Sequence, residues 1–367
     1  MRRRQRRVNF TIVGDVSTPL RQWLAQGLRQ ELEAHGHRYE PDPDGELRLV
    51  LNFTDPERPR PFRRKARATF VCSVVEAEQA PQDVLRSGYP LLVRTLSNLL
   101  LYVAGRPARV QTYFVTLEQG YYPVEYDGDE AGYFAALYER LHPLASSQLV
   151  IDNIFEPDLP QELWEGNEAV EQIRRASRRL GELDLLPAPF PIQEILPPED
   201  FRHVQRLYGI GGLSYGNLSV RHDRTRFWMS ASGVNKYQLQ VVGQDILLVK
   251  GYDPQRNAIL LSVPPHVQPR RVSVDAIEHW MIYTEHPSVG AILHVHAWMH
   301  DVPATRVNYP CGTRELAQAV AELVRQAPDP GRAVIGLRNH GLTITGPSLD
   351  EIFDRIQGRL IRQVPMC

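Results

Sequence analysis

The sequence predicts an α/β protein of two domains, and three observations predict it. Its 367 residues exceed what one compact core usually holds, since a domain averages roughly 150 residues. Strand-like and helix-like patterns alternate through the first half, which suggests an open sheet with helices packed on it. A proline-rich stretch, LLPAPFPIQEILPPED from Leu185 to Asp200, interrupts the chain. Pro187, Pro189, Pro191, Pro197 and Pro198 forbid a continuous helix there and favour an extended connector. The boundary is therefore placed near residue 190, giving an N-terminal α/β domain, 1–190, and a second domain, 191–367.

The elements of the first half follow from side-chain periodicity. Val8 to Val13 is apolar and β-branched, as a strand requires. Pro19 to Ala34 places Leu20, Trp23, Leu24, Leu28 and Leu32 at helical spacing. Leu47 to Phe53 and Thr69 to Val75 read as strands. Leu85 to Ala104 reads as one helix with a strongly apolar face. Val110 to Val115 is a further strand and Ala131 to Arg140 a further helix. The turn Gly14-Asp15-Val16-Ser17 carries neither G-x-G-x-x-G nor a P-loop lysine. It reads as an ordinary strand-to-helix turn, with anion binding at a helix N-terminus as the alternative. His35-Gly36-His37 reads as a helix C-cap and turn, with a metal pair as its alternative.

Composition excludes several function classes. Hydrophobic residues make up 43% and charged residues 23%, the balance of a soluble globular protein rather than a disordered one. The net charge of −1 gives no pointer to nucleic acid or to a membrane. The basic run Arg2, Arg3, Arg4, Arg6, Arg7 reads as a solvated tail, an RNA or phosphate contact being its alternative. No apolar segment of secretory type follows that run, and no apolar run reaches the length of a membrane span. Cys72, Cys311 and Cys367 are odd in number and far apart, so no disulfide framework is expected. Cys311 reads as a small buried residue rather than a nucleophile, because nothing nearby in sequence marks a base for it. A reduced, cytoplasmic protein is the resulting expectation. Of the 42 basic residues only Lys65, Lys236 and Lys250 are lysine, a bias read first as codon usage.

The second half concentrates the chemistry. Nine of the twelve histidines lie beyond residue 190. Ala291 to Met299, AILHVHAWM, reads as a buried strand, and His294 and His296, two apart, share one face of it. A β-rich run, AVIGLRNHGLTITG, ends at Asn339-His340-Gly341, where the glycine permits a tight turn that aims His340 inward. Upstream, SVDAIEHWMIY has helical spacing. Ser273 as N-cap puts Asp275 in the first turn, and His279 four residues on shares its face. Three neutral imidazoles and a carboxylate suit zinc or another first-row divalent ion, while hydrogen-bonded core histidines would show the same spacing. The glycine-rich segments GIGGLSYGNLSVR from Gly209 and MSASGVNKYQL from Met229 read as hairpin loops, or as loops whose amides cradle an anion.

These segments, in this order, resemble the class II aldolase/adducin family. The resembling pieces are Gly216-Asn217-Leu218-Ser219, Ser230-Ala231-Ser232-Gly233-Val234, Ser273-Val274-Asp275 followed by His279 and Tyr283, His294-Val295-His296, and Asn339-His340-Gly341. They span about 192–367 and leave the first half uncovered. The resemblance implies an α/β/α fold with a central, mainly antiparallel sheet. It implies a divalent metal, zinc foremost and manganese or another first-row ion as the alternative, on His294, His296 and His340. It implies Asp275 as acid/base or additional ligand, and a substrate phosphate site at Gly216, Asn217, Ser232, Gly233 and Ser273. Homo-oligomers, commonly tetramers, are also implied, with a small molecule as substrate.

Three features depart from the family pattern. The segment after His296, Ala297 to Thr313, is shorter than the insertion that supplies an acid/base in family enzymes. Asp301 is the replacement expected there, with His300 and Tyr309 nearby. The C-terminal tyrosine of those enzymes has no counterpart. Val274 stands where a phosphate-binding serine is usual, and Ser230-Ala231 where an epimerase has lysine, so an unphosphorylated or acidic substrate fits. The function expected is a metal-dependent lyase or isomerase acting on a small hydroxy-carbonyl compound, a sugar phosphate or related acid, through an enediolate. The alternative is a non-catalytic, adducin-like binding or scaffold protein with a structural metal.

Overall fold

The computed structural model describes residues 7–66, 69–106, 109–188, 190–208 and 214–367. The arginines of 2–6 and the first five residues of the glycine-rich segment, 209–213, lie outside the described residues. The chain forms two compact units, 1–147 with 190–204 and the last two residues, and 148–189 with 205–365.

The first unit alternates strand and helix as its periodicities predict. Its elements are β1 (Asn9–Gly14), α1 (Pro19–Ala34), β2 (Arg38–Tyr39), β3 (Leu49–Phe53), β4 (Phe70–Ala77), α2 (Val84–Arg94), β5 (Leu99–Arg106), β6 (Arg109–Thr116), β7 (Gly120–Glu125) and α3 (Glu130–Ser146). The sheet order is β2-β1-β3-β4-β5-β6-β7. β1 to β5 are parallel, and β6 and β7 add antiparallel strands. His35 closes α1 and Gly36 takes φ +85°, the cap-and-turn arrangement.

One expectation fails in this unit. The helix expected over Leu85 to Ala104 ends at Arg94, and β5 begins at Leu99. The Thr95 hydroxyl donates to the Leu91 and Leu92 carbonyls, and Leu96 turns the chain with φ +52°. Leu99 to Ala104 is buried on both faces between β4 and β6. A run buried on both faces loses its period-2 signature and imitates an apolar helix.

The second unit adds β8 (Asp152–Glu156) and α4 (Glu168–Glu182). The chain then passes through α5 (Ile192–Ile195) and α6 (Pro198–Tyr208). It continues with β9 (Asn217–Arg221), β10 (Phe227–Ser230), β11 (Ile246–Asp253), β12 (Ala258–Ser262), α7 (Ala276–Glu285), β13 (Ala291–Val295), α8 (Arg314–Gln326), β14 (Val334–Leu337), β15 (Gly341–Gly346) and α9 (Leu349–Ile356). The sheet order is β14-β15-β13-β9-β10-β11-β12-β8, antiparallel except for the β12–β8 pair. The strands β10, β13 and β15 are buried along their whole length, so helices cover both faces. This is the α/β/α sandwich with a mainly antiparallel sheet that the motifs imply.

The boundary expected near residue 190 differs from this division. Residues 148–189 belong to the second unit because β8 pairs with β12 along five residues and α4 packs on β9 and β10. Phe190–Val204 returns to the first unit, where Tyr89 meets Phe190 edge-on and Arg94 pairs with Asp200 at 2.9 Å. The expected extended connector is only partly extended, since it holds α5 and the start of α6, and its prolines do not say which core claims the residues on either side. Among the described residues no helix is long and apolar enough to cross a membrane.

Candidate metal centre

Three strands build the site in register. His294 on β13 lies directly opposite Asn217 on β9 and Thr343 on β15, so these three side chains form a row on one face of the sheet. His296 follows just past the end of β13. His340 sits in the β14–β15 turn, after Asn339 at φ +56°. Two glycines allow the backbones to close on the row. A Cβ at Gly216, whose φ is +73°, would lie 2.5 Å from the His294 carbonyl oxygen, and one at Gly341 would lie 2.2 Å from that of Val295. No other residue fits either position without displacing β13.

The imidazoles converge. Candidate ligand atoms of His294, His296 and His340 all lie within 4.8 Å of one another, and the three residues are buried. His294 Nε2 and His340 Nε2 are 3.1 Å apart. A tetrahedral ion with bonds of about 2.0–2.1 Å holds neighbouring ligand nitrogens roughly 3.3 Å apart, so the spacing fits a small divalent ion. His294 Nδ1 meets the Leu342 carbonyl at 3.0 Å. That contact makes Nδ1 the protonated nitrogen and leaves Nε2 its lone pair toward the centre. His296 Nδ1 is buried with no hydrogen-bond partner among the described residues, an orphan that a bound ion would relieve directly or through the ring's other nitrogen. Burial first, and then the neighbouring imidazoles, hold His296 and His340 well below the usual histidine range. Burial likewise lowers His294. Neutral rings are what a metal requires.

The helix α7 brings carboxyls over the row. Asn217 Nδ2 donates to Asp275 Oδ2 at 2.7 Å. His279 Nδ1 and Ser219 Oγ are 2.7 Å apart, and Ser219 Oγ and the Tyr283 hydroxyl 2.9 Å. The periods match: four helical residues rise about 6 Å, and two strand residues span about 6.7 Å. Asp275 therefore sits over Asn217 while His279 sits over Ser219. Arg221, at the end of β9, donates to the carbonyls of Tyr283, His286 and Val289 and ties down the C-terminal end of α7.

The N-cap differs from expectation. Asp275, not Ser273, occupies the cap position, and its carboxylate makes no capping bond. That group is committed to Asn217 instead. Ser273 contributes backbone: its N–H donates to the Ser230 carbonyl, beside the Ala231–Val272 bridge. This bridge brings Ser273 next to the turn that holds Ser232 and Gly233, the latter at φ +68°. Gly216, Asn217, Ser232, Gly233 and Ser273 thus come from loops and strand ends that adjoin. Asp301 is exposed in a turn at φ +58°, and its side chain makes no hydrogen bond among the described residues. No described contact links it to the histidines.

Three further residues were given no part in the site by the sequence reading. Glu278 is buried, accepts a hydrogen bond from the Thr343 hydroxyl at 2.5 Å, and is pushed up into the protonated range by burial and then by Asp275. Its i+3 spacing from Asp275 was a usable signal. Lys236 is buried, and its ammonium donates to the Ser214 carbonyl at 2.6 Å. Burial pushes it down to about 8 against the opposing pull of Asp275. Cys311 corrects the expectation of a small buried residue: it is partly exposed, with Sγ 3.3 Å from His340 Nδ1.

Residues 201–300 match the family model described as the Class II Aldolase and Adducin N-terminal domain. This part of the chain is therefore similar to the class II aldolase/adducin family. The matched stretch carries Asp275, His294 and His296 and stops before His340. Solved structures similar to this chain include an L-fuculose 1-phosphate aldolase, 19% identical, which covers 52% of this chain and 81% of its own at a TM-score of 0.36. Two others are YgbL proteins described as candidate aldolase/epimerase/decarboxylases. That of Escherichia coli is 18% identical, covers 52% of this chain and 84% of its own, and has a TM-score of 0.32. That of Klebsiella pneumoniae is 18% identical, covers 54% and 94%, and has a TM-score of 0.32. Among curated proteins no match is found.

Proposed function

We propose that the second unit is a divalent-metal-dependent lyase or isomerase acting on a small hydroxy-carbonyl compound. The observation that carries this reading is the convergence of three buried, neutral imidazoles beside a carboxylate held by Asn217. His294, His296 and His340 would hold the ion, with zinc the best match to an all-imidazole set and manganese the alternative. A bound ion would supply Lewis acidity toward adjacent hydroxyl and carbonyl oxygens and so favour an enediolate.

The chain's own groups do the rest. Asp275 is fixed by Asn217 at the edge of the row and serves as the proton acceptor. The loops at Gly216, Ser232 and Ser273 present backbone amides and hydroxyls for the distal end of the substrate. Glu278, neutral in its buried place, holds a proton one helical turn from Asp275. Asp301 is the second candidate acid/base, and it reaches the centre only if its turn moves. Retro-aldol cleavage, dehydration, decarboxylation and epimerisation share the enediolate, and the chemistry of the site serves all four. A homo-oligomer, as a tetramer, is part of the proposal.

The second reading is a binding or scaffold protein with a structural metal. It is favoured by the near-complete burial of His294 (2% exposed), His296 (5%) and His340 (8%). The test is metal content of the purified protein, beside a His294→Ala, His296→Ala double variant, followed by a screen of hydroxy acids and sugar phosphates with an Asp275→Asn control. Stoichiometric metal, lost in the double variant, with turnover lost in Asp275→Asn, supports the enzyme. Metal present with no turnover on any substrate class supports the scaffold. Absence of metal from the native protein removes the metal centre from both readings.

A further inference from the structure

One crossover of the first unit lacks a helix. β3 and β4 are parallel neighbours, and the segment joining them, residues 54–69, forms neither helix nor strand among the described residues. A helix usually makes such a connection. A structureless connection longer than about 12–15 residues inside a compact unit is uncommon and generally functional. This one is nonetheless held in place. Asn52, buried in β3, donates from Nδ2 to the Arg60 carbonyl at 2.9 Å and to Ser73 Oγ at 3.1 Å, and Ser73 Oγ lies 2.7 Å from Ser97 Oγ. The Arg60 N–H donates to the buried Thr54 hydroxyl at 2.9 Å. Arg64 donates to the Leu96 carbonyl at 2.6 Å and to Asn98 Oδ1 at 2.9 Å. Pro59 and Pro61 fix their own φ and favour an extended backbone at Arg58 and Arg60. Phe62 packs on Leu47, Val50 and Val71. A buried polar network thus fixes both backbone groups of Arg60 and leaves its side chain exposed.

The fixed segment concentrates positive charge. Arg58, Arg60, Arg63, Arg64 and Lys65 are all exposed, and no carboxylate stands between 58 and 65. The net charge of −1 for the whole chain conceals this local excess. Lys65 pairs with Asp44 at 2.8 Å, and Asp55 is turned onto its own backbone, accepting from the Glu57 N–H at 2.7 Å. The guanidinium groups of Arg58, Arg60 and Arg63 have no hydrogen bond or ion pair among the described residues. We propose that this crossover docks the phosphate backbone of a nucleic acid, so that the first unit tethers the chain to it. Guanidinium forks take phosphate oxygens in pairs, and a backbone already fixed loses little freedom when they do. The contact is with phosphates and not with bases, because Phe62, the one aromatic residue of the segment, packs on the core instead of offering a platform for stacking. An acidic peptide fits less well. Peptides commonly extend a sheet edge, and β3 and β4 are interior strands. The proposal is independent of the metal centre.

The test is fluorescence anisotropy on the full chain with labelled oligouridylate, and with a polyglutamate peptide of equal charge as the acidic-peptide probe. Log affinity for a single strand falls against log salt with a slope of about −0.7 per phosphate neutralised, so three or four contacts lower affinity about twenty- to fiftyfold between about 50 and 200 mM salt. In the triple variant Arg58→Gln, Arg60→Gln, Arg63→Gln the fall over that range is about threefold or less. Its thermal midpoint stays that of the native protein, because the replaced groups have no partners to lose. The corresponding triple lysine variant keeps the native salt dependence, since an ammonium also neutralises a phosphate. Oligoadenylate binds as oligouridylate does, because no base is read. A native protein that binds no oligouridylate at about 50 mM salt, or binds it without salt dependence, overturns the proposal before any variant is made. Polyglutamate binding as tightly as oligouridylate assigns the segment to an acidic peptide and overturns it as well. So does a salt dependence unchanged in the glutamine variant. Loss of binding in the glutamine and the lysine variants alike assigns the arginines to the fold rather than to phosphate. Loss only when Arg2, Arg3, Arg4 and Arg6 are replaced by glutamine assigns the contact to the N-terminal run, and the crossover then has no part in it.

Discussion

Replacing His279 with Leu separates the support of the site from the site itself. His279 is fully buried in α7, bonded through Nδ1 to Ser219, with Nε2 buried and lacking a partner among the described residues. Burial, with a smaller push from His294, lowers it from 6.5 to about 3. A depressed folded value means the native state resists protonation while the unfolded chain accepts it. The associated stability is therefore complete above pH 6.5 and is lost as pH falls toward 3. The full difference corresponds to about 5 kcal/mol, of which about 2 kcal/mol is already gone at pH 5.0. The assay is urea unfolding of metal-free protein at pH 7.5 and 5.0, read in the second unit by hydrogen exchange of the β9 and β13 amides. The leucine variant has no group to protonate at this position, so its loss of stability between the two pH values is smaller than the native protein's by about 2 kcal/mol. His294, His296 and His340 titrate in both proteins and cancel. An equal loss in both proteins refutes the reasoning, because it means that His279 is not held neutral by its surroundings.

Because burial holds the three imidazoles below the usual histidine range, the native protein keeps its metal as pH falls through 6.5 and loses it only well below that value, and the His294→Ala, His296→Ala variant holds no metal at any pH; atomic absorption after dialysis reads both. Gly216→Ala forces a positive φ on alanine and drives its Cβ into the His294 carbonyl, so it costs about 2 kcal/mol or more and weakens metal binding, measured by unfolding and by competition with a chelator. Arg221→Met leaves the Tyr283, His286 and Val289 carbonyls without their donor and destabilises the second unit by about 2–4 kcal/mol; Arg221→Lys recovers little, since one ammonium cannot span the three. Asp275→Asn keeps the metal but lowers turnover by about 10²–10⁴-fold, which steady-state kinetics on any substrate found will read.

Much of this site was legible in the sequence because its pieces are local. His294 and His296 declare a shared strand face by their spacing, and Asp275 and His279 a shared helix face. Asn339-His340-Gly341 declares a turn. Each depends on backbone periodicity, which a few consecutive residues determine. The proline-rich connector likewise announced a crossing between two units.

What tertiary structure alone decided are the relations between distant segments. The 3.1 Å approach of His294 and His340 spans 46 residues of chain and depends on β13 pairing with β15, a register set by packing on both faces of the sheet. Leu99 to Ala104 became a strand because β4 and β6 bury both its faces, a context that its own apolar pattern does not contain. Residues 148–189 joined the second unit because β8 found an edge at β12. Glu278 and Lys236 passed unremarked for the same reason. An acid on a helix and a lysine in a loop are ordinary surface residues in sequence, and only burial gives their charge a meaning.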